Sequence, residues 1–172
     1  MAGKKKAEPV QFTTGIGTLS FVKVLPETAD TKPDGTPEYS IQLLIPKTQR
    51  DDVRQILAAL KKVGEAQWGE AWKKVRRPLR DGDAEADELT EDGTPKRDKY
   101  PERLGHYFLN ARTTRRPGVY DRQRSPITDP DGIYSGCKGR ISLDVYAYAK
   151  NGNTGLGFGL NGVQKTADGD AL

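Results

Sequence analysis

The stretch "GRISLDVYAYAK" (Gly139 to Lys150), followed by "NGNTGLGFGLNGVQ", decides how the fold is read. At a period of two, Ile141, Leu143, Val145, Ala147 and Ala149 share one face of a strand. Arg140, Ser142, Asp144, Tyr146, Tyr148 and Lys150 share the other. A half-buried strand needs one apolar face, yet the polar face here carries two tyrosines between two cations. Tyrosine forms strands readily and pairs well across a sheet; rings set between cations also suit a binding surface. Asn151-Gly152 is a strong hairpin signal. The returning strand puts Leu156, Phe158 and Leu160 on one face and Gly155, Gly157 and Gly159 on the other. A bare glycine face permits close approach, by another strand or the helix most simply, or by a ligand.

Upstream, "FTTGIGTLSFVKVL" (Phe12 to Leu25) reads as a long strand, with Gly15 and Gly17 marking a bend. Turn residues Pro26, Pro33, Asp34-Gly35 and Pro37 lead to a second strand, "YSIQLLIPK", that closes at Pro46. A helix is expected from near Thr48. Val53, Ile56, Leu57, Leu60, Val63, Trp68, Ala71, Trp72 and Val75 form one apolar stripe along it. Thr48 is its cap candidate, Asp51 and Asp52 suit its start, and Lys73, Lys74, Arg76 and Arg77 suit its end before Pro78. Trp68 and Trp72 lie on the stripe and read as core or covering residues, not stacking platforms. A further strand runs from Gly105 to about Arg115. The sum is mainly β with one main helix: an OB-fold-like small antiparallel barrel with a capping helix and long loops. A five-stranded sandwich satisfies the same pattern. The usual OB order sets its helix between the third and fourth strands; this chain meets it only if the long first segment is two strands or a short strand is hidden.

With 172 residues, 34% hydrophobic and 30% charged, the chain suits one domain with a modest core. No apolar run approaches the ~18 residues of a membrane span. "MAGKKKAEPV" has no apolar segment behind its cations and does not read as a secretory signal. A single cysteine, Cys137, and a single histidine, His106, exclude an internal disulfide and the usual Cys/His metal cluster, and suggest a reducing, intracellular setting. The net charge of +4 is unevenly spread: residues 81–92 carry seven carboxylates and no cation, so the remainder is markedly basic. That run is not an EF-hand, because Ala86 stands where the loop needs glycine; a solvated acidic loop is expected. The domain reading is a flexible basic arm over residues 1–10, one OB-fold-like domain over 11–166 with the acidic loop 79–105 inserted, and a C-terminal end over 167–172.

Enzyme signatures are absent: no nucleophile elbow, P-loop, dinucleotide fingerprint or zinc spacing. Cys137 reads as a structural thiol, and His106 as a residue that packs or faces water. A magnesium nuclease would need convergent carboxylates on structured elements, and most carboxylates here sit in one loop. No cofactor or metal is expected. What remains is cations interleaved with aromatics on strands: Phe108 on the parity of Arg112, then Arg115, Arg116, Lys138, Arg140, Tyr146, Tyr148 and Lys150. Single-stranded nucleic acid is bound by this combination, cations along the phosphates and flat rings under unpaired bases.

"GHYFLNARTTRRPGVYDR", "YSGCKGRISLDVYAYAKNGNTG" and "GLNGVQKTADGD" resemble, in order and spacing, a family of phage single-stranded DNA-binding proteins of replication modules. The resemblance runs from Phe12 to Asp170 and is strongest from "PLRDGD" onwards. It implies an OB-fold that coats single-stranded DNA in replication and recombination, in the cytoplasm of an infected bacterial host. Such proteins usually end in a disordered acidic tail that recruits replication enzymes. This sequence stops at "ADGDAL", with Asp168 and Asp170 only, as if the member lacks the tail or the chain is cut short. Monomer and dimer both remain open. So do an RNA-binding module, a phage nuclease and a phage protein that binds a host protein.

Overall fold

In the computed structural model, which describes residues 7–150 (Lys150 by its backbone only) and 152–172, the long first strand breaks at its glycines. Residues 1–6 of the expected arm and Asn151 of the expected turn lie outside the described residues. The first segment becomes β1 (Val10–Thr13) and β2 (Gly17–Lys23), so it is two strands. A Cβ on Gly15 would meet the Asp52 carboxylate at 2.2 Å, and one on Gly17 would meet the Leu44 carbonyl at 2.4 Å. Thr14 bridges the gap: its N–H donates to the Ile141 carbonyl at 2.9 Å, and its Oγ1 accepts from the Ile141 N–H at 3.1 Å.

The other elements follow in order: β3 (Asp30–Thr31), β4 (Pro37–Pro46), α1 (Arg50–Trp68), β5 (Arg80–Asp81), α2 (Lys96–Lys99), β6 (His106–Thr113), β7 (Gly118–Tyr120), β8 (Lys138–Lys150) and β9 (Asn153–Ala167). A ring closes through β2, β4, β6, β9 and β8, with β1 continuing β2 along β8. Every contact in this ring is antiparallel except β6–β9, which is parallel at Arg112 and Gly159. Direction cannot alternate all the way round five positions, so one neighbouring pair must run parallel. β7 extends the sheet beyond β9. This is the five-position barrel expected, but α1 lies between the second and third ring positions. Counting β1 and β2 separately does not move it, because both occupy one place in the ring.

The barrel interior holds Leu19, Ile41, Leu43, Leu109, Ile141, Leu143, Val145, Phe158 and Leu160, closed at one end by Ile56, Leu60 and Val63 of α1. The helix differs from expectation at both ends. Gln49, not Thr48, is the cap residue, with no side-chain cap bond. The α-helix stops at Trp68 because Gly69 adopts φ +57°. A 3-10 segment (Gly69–Lys74) then turns Trp72 back against Gly64, where a Cβ would fall 2.9 Å from the indole. Trp72 is buried and Trp68 packs against the core, so both are covering residues as expected, although Trp72 reaches its place through the 3-10 turn and not along the helical stripe. The cations Lys73, Lys74, Arg76 and Arg77 therefore lie beyond the α-helix and do not meet its dipole.

The segment 79–105 is largely exposed but not featureless. It folds through β5, α2 and a 3-10 turn (Pro101–Arg103), and most carboxylates of its acidic run are paired. Lys47 sits 2.7 Å from Asp81 and 2.8 Å from Asp83, tying the insert to the end of β4. Arg80 donates to Glu85 at 2.8 Å, and Lys96 to Glu85 and Glu88, each at 3.0 Å. Arg97 pairs with Asp87. The insert pairs with β6 through β5 and covers the outer face of β6 at Phe108.

Candidate nucleic-acid interface

Parity sets Asn110 and Arg112 of β6, the glycines of β9, and Tyr146 and Tyr148 of β8 on the outward side of the barrel. Together they line a groove of about 370 Å³. Between its two sides runs the β9 backbone at Gly155 and Gly157. One wall is Tyr146 and Tyr148, with ring centroids 6.4 Å apart and planes tilted by 53°. The opposite wall is cationic: Arg76, Arg77 and Arg80, with Arg112 beside them.

The glycine face has a specific use. Tyr146 pairs across the sheet with Gly157, and Tyr148 with Gly155. A Cβ on Gly157 would fall 2.8 Å from the Tyr146 ring, and one on Gly155 would fall 2.4 Å from the Tyr148 hydroxyl. Each ring thus lies over a glycine of the neighbouring strand, an aromatic-over-glycine pairing. The occupant of that face is neither strand nor helix but these two side chains. Tyr148 remains 39% exposed. The arrangement offers rings for stacking and guanidinium groups for phosphates on opposite sides of one trough. Arg80 is already bonded to Glu85. Among the described residues, Arg76, Arg77 and Arg112 make no ion pair.

The residues singled out from sequence divide. Arg112, Tyr146 and Tyr148 come together in the groove. Phe108 shares the face of Arg112 but is fully buried, with the Arg80 and Arg103 guanidinium groups 4.8 and 4.5 Å from its ring centre. A strand face is open only where nothing covers it, and here the insert does, so Phe108 cannot stack a base. Arg115 and Arg116 are exposed in the turn between β6 and β7, outside the groove lining. Lys138 sits at the far end of β8, donating to Thr18 Oγ1 at 2.6 Å beside the C-terminal residues Gly169 and Leu172. Arg140 is half-buried in a different recess on the outer face. The side chain of Lys150 lies outside the described residues. The sequence reading missed Arg76, Arg77 and Asn110. Gly69 was the available signal, since a glycine after Trp68 can end the helix and free "VRRP" to face the barrel.

The remaining reactive groups are quiet. Cys137 is buried, and burial pushes its thiol pKa up. His106 is half-buried with Nδ1 2.8 Å from the Leu104 carbonyl. Among the described residues no cluster of three His, Cys, Asp or Glu is placed to hold a metal, and no helix is long and apolar enough to cross a membrane.

Comparison with known proteins is consistent across sequence and fold. A solved structure of the single-stranded DNA-binding protein from bacteriophage Enc34 in complex with ssDNA superposes with a TM-score of 0.75 at 21% identity, covering 99% of this chain and 96% of that one. Gp2.5, a single-stranded DNA-binding protein encoded by bacteriophage T7, gives 0.58 at 15% identity, covering 95% and 89%. At these identities the likeness speaks for the fold. Protein p50 of Acyrthosiphon pisum secondary endosymbiont phage 1 is 34% identical over 149 residues, which span 80% of this chain and 73% of that protein. The family model described as Enterobacter phage Enc34, ssDNA-binding protein, matches residues 11–172, so this chain belongs to that family.

Proposed function

We propose that this protein coats single-stranded DNA during phage replication and recombination, without sequence preference, in the cytoplasm of the infected host. Phosphates lie along Arg76, Arg77 and Arg112, and bases stack on Tyr146 and Tyr148. The observation that carries this reading is the groove itself: in a member of a single-stranded DNA-binding family, two rings laid over glycines share one groove with arginines that make no ion pair. Rings and backbone charges recognise features common to every nucleotide, which is why such a trough tolerates any sequence. The role proposed is binding.

Fluorescence anisotropy of labelled oligo-dT, against a duplex and an RNA of equal length over a salt series, tests the proposal. Single-stranded DNA should bind most tightly, with a log–log salt slope of at least about −2, near −0.7 for each of the three unpaired arginines. Equal, weak binding to all three ligands would leave only a basic surface and refute it. Tighter binding of the RNA would move the protein to the RNA-binding class.

A further inference from the structure

On the same outer face, toward the start of β8, lies a second recess of about 450 Å³ that includes Tyr120, Arg124 and Arg140. It repeats the design of the groove. Tyr120 is 42% exposed, and its ring leans on a glycine: a Cβ on Gly118 would fall 2.6 Å from it. Arg124 is presented by a rigid turn in which Asp121 Oδ1 accepts from the N–H groups of Gln123 at 2.8 Å and Ser125 at 2.9 Å. The turn holds Arg124 at φ +67°, a left-handed conformation that residues other than glycine seldom adopt. Arg140 has its Nε buried without a hydrogen-bond partner. Among the described residues neither arginine makes an ion pair, whereas the insert's Arg80 and Arg97 both do. Guanidinium groups left unpaired beside an open ring fit an anion carrying a flat group.

We infer that this recess is a second nucleotide subsite for the same bound strand, with a base on Tyr120 and phosphates against Arg124 and Arg140. The inference rests on the proposal that the Tyr146–Tyr148 groove binds single-stranded DNA. The two sites share the outer face of β8 and β9, and the six residue steps from Arg140 to Tyr146 span about 20 Å. Asp144 points outward between them and repels phosphate, so the backbone is held at two places rather than evenly along the strand. A strand must be long enough to reach both, within the ~4–16 nucleotides an OB-fold accommodates.

The test is a ladder of oligo-dT from about 4 to about 16 nucleotides, titrated against the unmodified chain and a Tyr120→Ala/Arg124→Gly variant. Glycine suits the left-handed turn at position 124, so the fold survives, and circular dichroism checks it. For the unmodified chain, affinity should rise in a second step once the oligonucleotide spans both sites. The variant should keep its affinity for the shortest oligonucleotides and lose about tenfold for the longest, with the salt slope reduced by about 0.7. Identical titrations of variant and unmodified chain at every length would overturn the second subsite while leaving the groove intact. Equal losses at all lengths would overturn it too, by making the recess part of one continuous site. No binding by the unmodified chain at any length would overturn the groove and the subsite together.

Discussion

Replacing Tyr146 and Tyr148 together by alanine should abolish most DNA affinity while sparing the fold. Stacking on an aromatic side chain contributes about 1–3 kcal/mol per base. Two rings therefore carry about 2–6 kcal/mol, a weakening of about 30-fold to more than 10⁴-fold in Kd. The cost to stability is much smaller. The core beneath, Val145, Ala147, Leu156 and Phe158, is untouched, and what is lost is two cross-strand ring–glycine contacts. Such pairs contribute about 0.2–1 kcal/mol each, and in a chain of this size 1 kcal/mol moves Tm by about 2–4 °C. Anisotropy with oligo-dT at low salt and thermal melts of both proteins separate the two effects. The Tyr146→Phe/Tyr148→Phe protein keeps both rings and should bind within about threefold of the original. Unchanged affinity in the alanine protein, with a cooperative melt, would refute the stacking role of these rings.

Arg112→Ala should make the log–log salt slope shallower by about 0.7 and weaken binding more at low salt than at high; an unchanged slope would mean Arg112 meets no phosphate. Cys137, buried and with its thiol pKa raised by burial, should resist a thiol reagent in the folded protein and react fully in denaturant. Fast labelling of the folded chain would contradict that burial. Acid should loosen the insert. Hydrogen bonds from Lys47 and the Gly105 N–H hold the Asp83 carboxyl below its ordinary range, and those from Thr90 and Thr94 hold Asp92 at about 2. A carboxylate depressed in the folded state contributes stability above its unfolded pKa near 4 and loses it as pH falls through the folded value. Hydrogen exchange of residues 79–105 should therefore quicken between about pH 4 and about pH 2, after correction for intrinsic rates; flat protection across that window would show that these contacts do not hold the insert.

Much of the barrel is written along the chain. The alternation through Gly139–Lys150, the hydrophobic–glycine alternation of residues 155–160, and the helical stripe through Ile56, Leu60 and Val63 each assign a face, because side chains point where backbone geometry sends them. The bend at Gly15 and Gly17 and the outward side taken by Arg112, Tyr146 and Tyr148 follow from such local rules. Other features depended on segments far apart in sequence. Phe108 has the right parity and is nonetheless sealed, because Arg80 and Arg103 of the insert cover it. Arg76 and Arg77 join the groove because Gly69 ends the helix early and the chain doubles back at Trp72. Lys138, Arg140 and Tyr148 share one strand face but reach three different places, since a 13-residue strand on a curled barrel meets different neighbours along its length. Periodicity determines which side of the sheet a residue occupies; whether that side is open, covered or shared is a matter of packing between distant parts of the chain, and only the folded structure decides it.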